Sequence, residues 1–593
     1  MLSDLGDFEE YMRVQVKKWN APGIGVSIVK DQEVIFSRGY GHRDLEKRMP
    51  FLSSTLFPIA SNTKLFTAVA AGILVERGKL GFDQPIRDFV PSLRFHDRSL
   101  DETVTLRDML GHRTGVPRYD MISHGSTLSK KELFDRIRFM KPIAPLRSRC
   151  IYNNNMYQAV AHIIELLGGK SWEEFTRDEI LAPLGMSHTC FAISDMREQP
   201  DHAAPVTERR DSEELWQVPY PDLKMPNAAG SMVSNLEDMS RWLAVLMNNG
   251  VMAGEKVIPE RVLEATLKPG LAFPDLLDEL VGCHLRINPT YGLGRLTAAY
   301  RGNLLVSHGG DLRAFHSQVS YLPREKIGVV AFVIGDHCAM LADAIGYNIY
   351  DRLLGMPDAG WMEAVRNFQL KGKQNMRAAR ARVTPDAVPD TQPSHALEDY
   401  AGCYTHQAYG PLRILLESSR LQLDFRESAW PLHHYHYDRF DSDDDEEKGS
   451  WSLSFLTSPL GEIDRINVWL DGTDVVFTRI PDAPALAVLT RLVGRYAGAD
   501  DEKCNVRLRE DDQLTLQFLH ELPVVLIPFK GLQFRNPKWP RRKFEFMMEG
   551  GRVTKLRHWN AIAEFVLDRV EEVDGVDRVG NERSLSGENG DRV

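Results

Sequence analysis

Several things are scarce in this 593-residue sequence. Its six cysteines (Cys150, Cys190, Cys283, Cys338, Cys403, Cys504) are scattered and form no C-x-x-C pair. That excludes a small disulfide-stapled fold and the paired-thiol zinc and redox motifs, and it predicts free thiols. No run of eighteen apolar residues occurs, so no helix is expected to span a membrane. The formal net charge is -11 and no cluster of Lys and Arg stands out along the chain, which argues against nucleic acid as a partner. No cofactor fingerprint is evident, and no metal-ligand set either. His434 and His436 share one face of a β-rich run, but no third ligand accompanies them. The stretch Met1 to Glu10 is acidic and has neither the basic nor the apolar region of a secretory signal. The expectation from these absences is a cytoplasmic protein with no cofactor, metal, nucleic acid or membrane partner. Homo-oligomer formation is left open.

The length exceeds what one core fills, and an apolar content of 43% is ordinary for a globular chain. Leu5 to Trp19 repeats apolar residues at helical spacing. Gly23 to Lys30 and Val34 to Arg38 are β-rich runs joined at Asp31-Gln32, which predicts a hairpin. An apolar helix follows over Leu65 to Leu74. Thr105 is placed to cap a helix that stops before Gly115 and Pro117. Asn155 to Leu167 is amphipathic and closed by Gly168-Gly169. Ser234 to Glu237 reads as a capping box for a helix over Met239 to Met247. Strand-like runs over Ser307 to Leu322 and Ile327 to Ile334 precede a helix over Ala339 to Leu354. Strands, a helical middle, then strands and a helix predict an α+β domain, an antiparallel sheet flanked by helices, over residues 1–360.

Residues 361–394 read as a basic connecting helix and a Pro-rich linker. Beyond it the chain repeats itself at an offset of about ninety residues. Asp399-Tyr400-Ala401-Gly402-Cys403-Tyr404 recurs as Arg491-Leu492-Val493-Gly494-Arg495-Tyr496, and Phe477-Thr478-Arg479-Ile480 as Leu567-Asp568-Arg569-Val570. A unit of this length with about eight short strands closes most easily as an up-and-down barrel. Two small antiparallel β-barrels are therefore expected, over 395–482 and 483–572, followed by a disordered tail over 573–593. The acidic run Asp441 to Glu447 is expected to be a solvated loop tip.

Chemistry is concentrated in three stretches. Ser61 and Lys64 stand three apart at the head of the apolar helix, so the lysine amine can reach the serine hydroxyl. Burial would lower the lysine pKa and let it accept the serine proton. Ser27 and Lys30 have the same spacing but lie on a strand, where period two puts them on opposite faces. Tyr152-Asn153-Asn154, just before a helix, offers a phenol for proton transfer and an amide for a substrate carbonyl. A neighbouring ammonium would depress that phenol's pKa. His308-Gly309-Gly310 lies on a predicted strand, where glycine marks the close approach of another backbone or a ligand.

S-x-x-K, then Y-x-N, then H-x-G, in this order, resembles the serine β-lactamase and penicillin-binding-protein superfamily. Phe57 to Ala60, Leu106 to Pro117 and Ala229 to Ser234 agree with it. The likeness covers roughly residues 5–355 and is narrowest to the class C β-lactamase, esterase and D-aminopeptidase branch. A catalytic domain with two lipocalin-like barrels behind it is similar to D-aminopeptidase. The resemblance implies Ser61 as the acylated nucleophile, Lys64 as its partner and Tyr152 as general base and acid. It implies Asn154, His308, Gly309, Gly310 and Asp311 as substrate-binding residues, with the backbone N–H groups of Ser61 and Asp311 holding the oxyanion. Histidine in place of the family's K-T-G lysine is a poorer anchor for a carboxylate, which counts against penicillins. No class A deacylating glutamate was identifiable, so Tyr152 would serve both half-reactions. The reading is a serine hydrolase that cleaves a small amide or peptide through an acyl-enzyme, D-aminopeptidase-like. The alternatives are an esterase or acyltransferase using the same intermediate, and a non-catalytic binding protein on this scaffold.

Overall fold

A computed structural model of the chain describes residues 5–123, 125–221, 223, 227–273, 286–381, 387–426, 428–499, 502–536, 538–539, 541–559 and 562–571. Cys283, Thr384, Pro385 and the tail expected over 573–593 lie outside these residues.

The first half is built on a nine-stranded antiparallel sheet. Its strands, in chain order, are β1 (Gly23–Lys30), β2 (Glu33–Asp44), β3 (Met49–Pro50), β4 (Leu271–Ala272), β5 (Arg286–Tyr291), β6 (Leu296–Tyr300), β7 (Asn303–Leu312), β8 (Phe315–Leu322) and β9 (Ile327–Ile334). In space they run β4-β5-β6-β7-β8-β9-β1-β2-β3. The hairpin at Asp31-Gln32 forms as expected. Both residues take positive φ (51° and 71°), the twist that a two-residue turn needs. The run over Ser307 to Leu322 is two strands, which fold back at Arg313-Ala314, with Ala314 at φ 62°.

β9 is apolar throughout because both faces of the sheet are covered. Val330, Phe332 and Ile334 join one core, while Val329, Ala331 and Val333 join another. The second core belongs to helices α1 (Phe8–Lys18), α5 (Leu341–Leu353) and the start of α6 (Trp361–Arg380). The first belongs to α2 (Thr63–Glu76), α3 (Asn154–Gly168) and α4 (Leu236–Met247). α2 is buried on every side from Thr63 to Leu74, which is why its sequence shows no polar face. Phe66 stacks on Trp242 of α4, with ring centroids 4.2 Å apart.

Caps define several helix starts. Thr105 and Asp108 form a capping box. Ahead of α4 the cap is Asn235, whose side chain accepts from the Asp238 N–H. The expected Ser234 box does not form, because Ser234 pairs with Phe57 in a short two-strand ladder and its hydroxyl meets Thr189.

Two closed eight-stranded barrels follow, the first from Gly402–His406 to Thr473–Arg479, the second from Gly494–Ala497 to Glu564–Glu571. The sequence repeat has a common physical cause. The Tyr404 hydroxyl donates to the Tyr400 carbonyl at 2.9 Å, and the Tyr496 hydroxyl to the Leu492 carbonyl at 2.7 Å. Arg479 donates to the carbonyls of Asp399 and Ala401, as Arg569 does to those of Arg491 and Val493. Each barrel closes its first turn with a buried tyrosine and an arginine at matching places. Gly402 is fixed by this arrangement, since a Cβ there would lie 2.7 Å from the Arg479 guanidinium.

The acidic run is not a free loop tip. Glu446 accepts from the Arg210 N–H and pairs with Arg209, Asp444 pairs with Arg210 at 2.8 Å, and Arg313 donates to the Glu447 carbonyl at 2.6 Å. Opposite charges in the first half of the chain draw it down.

Candidate active site

The segment before α2 is clamped from two sides. Ile59 N–H donates to the Met232 carbonyl at 2.9 Å, Met232 N–H to the Thr63 hydroxyl at 3.1 Å, and Thr67 to the Ala228 carbonyl at 2.7 Å. On the other side Ser317 of β8 donates to the Ile59 carbonyl at 2.8 Å and accepts from Asn62 at 2.9 Å. Between the clamps Ala60 is held at φ 47°, a costly conformation for a residue with a Cβ, and Ser61 follows in a short 3-10 turn. Strain at the residue before a candidate nucleophile persists because its surroundings over-determine it.

Lys64 Nζ lies 3.0 Å from Ser61 Oγ and 2.6 Å from the Ala229 carbonyl. The lysine is fully buried, and burial holds its pKa well below the usual value; Asp120 works against that shift and Arg118 adds to it. The amine donates to both oxygens. Ser27, the control at the same spacing, instead shares a buried hydrogen bond with Ser240 at 2.7 Å.

Tyr152 reaches this pair from the far side of α3. Asp108, fully buried, binds Arg113 at 2.6 Å and Arg147 at 2.7 Å. It thereby ties segment 147–154 to the loop over 111–118. Asn153 caps α3, and its N–H donates to His112 Nδ1 at 3.1 Å. The Tyr152 phenol is hydrogen-bonded to Ser61, and Lys64 Nζ sits 4.7 Å from the ring centroid. The expected depression of its pKa does not occur. Burial raises it, and that outweighs the Ser61 hydrogen bond and nearby Arg118. The cost of burying the phenolate is the largest effect on this group. Asn154 opens α3, and its amide donates to Asp120 at 2.9 Å.

His308 is the third arrival. Its Nε2 lies 2.9 Å from the Tyr291 hydroxyl and its Nδ1 2.6 Å from the Gly309 carbonyl. A carbonyl only accepts, so the neutral ring carries its proton on Nδ1 and takes one from Tyr291 at Nε2. Burial, helped by Lys64, lowers its pKa to about 4. Gly310 sits where β7 crosses the Ile59-Ala60 segment; a Cβ there would be 2.2 Å from the Ile59 carbonyl oxygen. Gly309 has room, with nothing closer than 3.5 Å. Asp311 is exposed and accepts from His316 at 2.8 Å, and the other His316 nitrogen meets Asp336 at 3.1 Å.

Some residues at this place escaped the sequence reading. His112 lies fully buried against Tyr152 (4.2 Å between centroids), Tyr291 (4.5 Å) and Tyr157 (5.4 Å), at φ 56°. Burial lowers its pKa well below 6.5. Its only signal was its place inside the Leu106 to Pro117 stretch. Arg118, paired with Asp120 at 2.6 Å, covers the Tyr152 ring at 5.3 Å. Gly294, at φ 76°, lets the chain pass the start of α2, where a Cβ would lie 2.9 Å from Leu65 Cα. The first barrel supports this wall from outside. Tyr409 packs on Tyr119 at 5.4 Å, and Asp471 accepts from the Met121 N–H at 3.2 Å.

His316 gives a pH prediction. Burial alone would lower its pKa, but the hydrogen bonds to Asp311 and Asp336 raise it from 6.5 to about 9. The histidine's contribution to stability is therefore complete below pH 6.5 and lost as pH rises through about 9. At ~1.4 kcal/mol per pKa unit, it amounts to about 3 kcal/mol at most. Urea unfolding of the native chain and of His316→Gln should differ clearly near pH 6 and converge near pH 10. A gap of the same size at both values would contradict the assignment.

The family model described as Beta-lactamase matches residues 8–352, and one described as a domain of unknown function (DUF3471) matches residues 386–479. The chain is 27% identical over 446 residues to Unguisins hydrolase ungD of Aspergillus violaceofuscus (strain CBS 115571), covering 70% of this chain and 77% of that protein. It is 25% identical over 333 residues to Protein flp of Staphylococcus aureus (strain NCTC 8325 / PS 47), covering 53% of this chain and 60% of that one. Among solved structures, the octameric penicillin-binding protein homologue from Pyrococcus abyssi aligns with a TM-score of 0.53 at 21% identity. That alignment covers 88% of this chain and 99% of that chain, which is a likeness of fold.

Proposed function

This chain belongs to the beta-lactamase family, and from that premise we propose that it is a serine hydrolase working through an acyl-enzyme on Ser61. The observation that carries the reading is the 3.0 Å contact between Ser61 Oγ and the buried amine of Lys64, whose pKa burial holds well below the usual value. Relatives named as hydrolases support it. As Ser61 Oγ attacks a carbonyl carbon, its proton passes to Lys64 Nζ. Tyr152, held protonated by burial, gives its phenolic proton to the leaving nitrogen and recovers one from the Lys64 ammonium. Deacylation repeats the sequence in reverse, with water in the place of the leaving amine. The N–H groups of Ser61 and Asp311 receive the oxyanion, a role in which one donor is typically worth ~3 kcal/mol. Asn154 and the His308 to Gly310 edge line the substrate.

The charges favour a small amide or peptide, as in a D-aminopeptidase, over a penicillin. Lys64, His308 and His112 are all pushed towards their neutral forms. Arg118 is engaged by Asp120, while Asp311 presents an exposed carboxylate beside the glycines. Nothing in this set is a free cation for a substrate carboxylate.

Incubation with a fluorophosphonate probe should add one adduct to the intact mass, mapped to Ser61 and absent in Ser61→Ala. Labelling that persists in Ser61→Ala would remove the nucleophile assignment. Turnover of D-alanine amide and of p-nitrophenyl acetate should both be measurable; hydrolysis of the ester alone would favour the esterase reading.

A further inference from the structure

Away from the active site, a cleft of about 1080 Å³ opens between the end of α1, the hairpin formed by Val206–Glu208 and Leu215–Gln217, and α6. It is lined by nine Lys or Arg residues and five Asp or Glu residues, although the chain as a whole carries a net charge of -11. Four of these cations lie on the helix whose sequence reads as basic, and the other five come from three further stretches.

The helix explains why the site is unusual. At its start, α6 buries Trp361, Met362 and Val365 against the sheet domain. The same stripe, continued at spacings of three and four, carries Arg366, Leu370, Lys373, Arg377 and Arg380, all lining the cleft. An inward helix face is ordinarily apolar. This one turns cationic where the cleft begins, with Leu370 and Met376 (37% and 63% exposed) between the charges.

Part of this charge holds the walls together. Lys373 pairs with Glu208 at 2.5 Å and Arg380 with Asp211 at 2.6 Å, both across to the hairpin. Arg209 lies 3.9 Å above the Trp216 ring. Those tethers do not use up the positive charge. Among the described residues, no carboxylate is within ion-pair distance of Lys17, Arg313, Arg366 or Arg377.

We propose that this cleft is a binding site for a small polyanion of nucleotide size, bearing two or more phosphate or carboxylate groups. The volume is at the upper end of the ~300–1,000 Å³ usual for small-molecule sites. Guanidinium groups present paired N–H donors that match such anions in two-point contacts. The exposed Leu370 and Met376 and the half-buried Trp216 supply an apolar surface for the body of the ligand. The site does not depend on the hydrolase reading, because none of these residues touches Ser61, Lys64 or Tyr152.

The test is calorimetric titration of the full chain with ATP, pyrophosphate and citrate at low salt, since at 0.1 M salt attraction between exposed charges is largely screened beyond ~10 Å. Binding of at least one of them at one site per chain is expected. Arg366→Glu with Arg377→Glu should weaken it by about tenfold or more, while the thermal midpoint and ester hydrolysis stay as in the native chain. Should the double variant unfold, Lys17→Glu serves as the second probe. No heat with any of the three anions, or equal binding by the variants, would overturn the proposal. So would an RNA 20-mer that binds more tightly than ATP, which would make this face a nucleic-acid surface.

Discussion

Lys64→Met is expected to lower the rate of Ser61 acylation by about three to four orders of magnitude. Methionine matches the unbranched shape of the lysine stem, so the packing around α2 should survive. What disappears is the one basic nitrogen within 3.0 Å of the hydroxyl. Lys64→Arg should be as inactive, because a guanidinium keeps its proton and cannot take another. The thermal midpoint of Lys64→Met should stay level or rise, since a fully buried amine is replaced by an apolar group, at the cost of one donor to Ala229. Rates of fluorophosphonate labelling and of amide turnover check the first part, thermal unfolding the second. Labelling within about threefold of the native rate in either variant would remove Lys64 from the proton path.

The dyad could be read from sequence because its geometry is local. Three residues separate Ser61 from Lys64, and the apolar run after them has no polar face to offer an alternative helix orientation. The same holds for the Asp31-Gln32 turn, the Thr105 cap and β1, whose bounds come from neighbouring residues alone. The barrels were legible for another reason. A repeated tyrosine and arginine at a fixed offset mark repeated hydrogen bonds, here those of Tyr404 and Tyr496. His112 was not legible, because its neighbours Tyr152, Tyr157 and Tyr291 come from other segments. Ser234 lost its expected cap role to a ladder with Phe57, nearly two hundred residues away in sequence. The acidic run at 441–447 is largely exposed, as expected, but its pairing with Arg209, Arg210 and Arg313 was not legible. Charge that is dispersed in sequence and gathered in space defeats a reading by windows. The basic cleft escaped for that reason.

Burial raises the Tyr152 phenol above its ordinary pKa and holds the Lys64 amine well below its own. The two shifts belong together, since the same dry surroundings disfavour both the ammonium and the phenolate. In the proposed mechanism this lets Lys64 act as the base and Tyr152 as the acid at Ser61.

Gly310→Ala is expected to cut turnover by about two to three orders of magnitude, the cost of a lost oxyanion donor. The added Cβ would stand 2.2 Å from the Ile59 carbonyl oxygen and 2.4 Å from Ser317 Oγ. Neither can yield freely, because Ser317 donates to that carbonyl and also holds Asn62, beside Ser61. β7 must therefore move away from the Ala60-Ser61 turn, taking the Asp311 N–H with it. Overpacking of this kind costs ~1–3 kcal/mol, which leaves a folded protein to assay. Gly309→Ala is the internal control. Its nearest contact would be Gln318 Oε1 at 3.5 Å, ordinary van der Waals distance, so it should keep activity within about tenfold. Measuring kcat and thermal midpoint for both separates geometry from folding. Equal activity in the two variants would mean that the crossing of β7 over Ile59 does not place the oxyanion site.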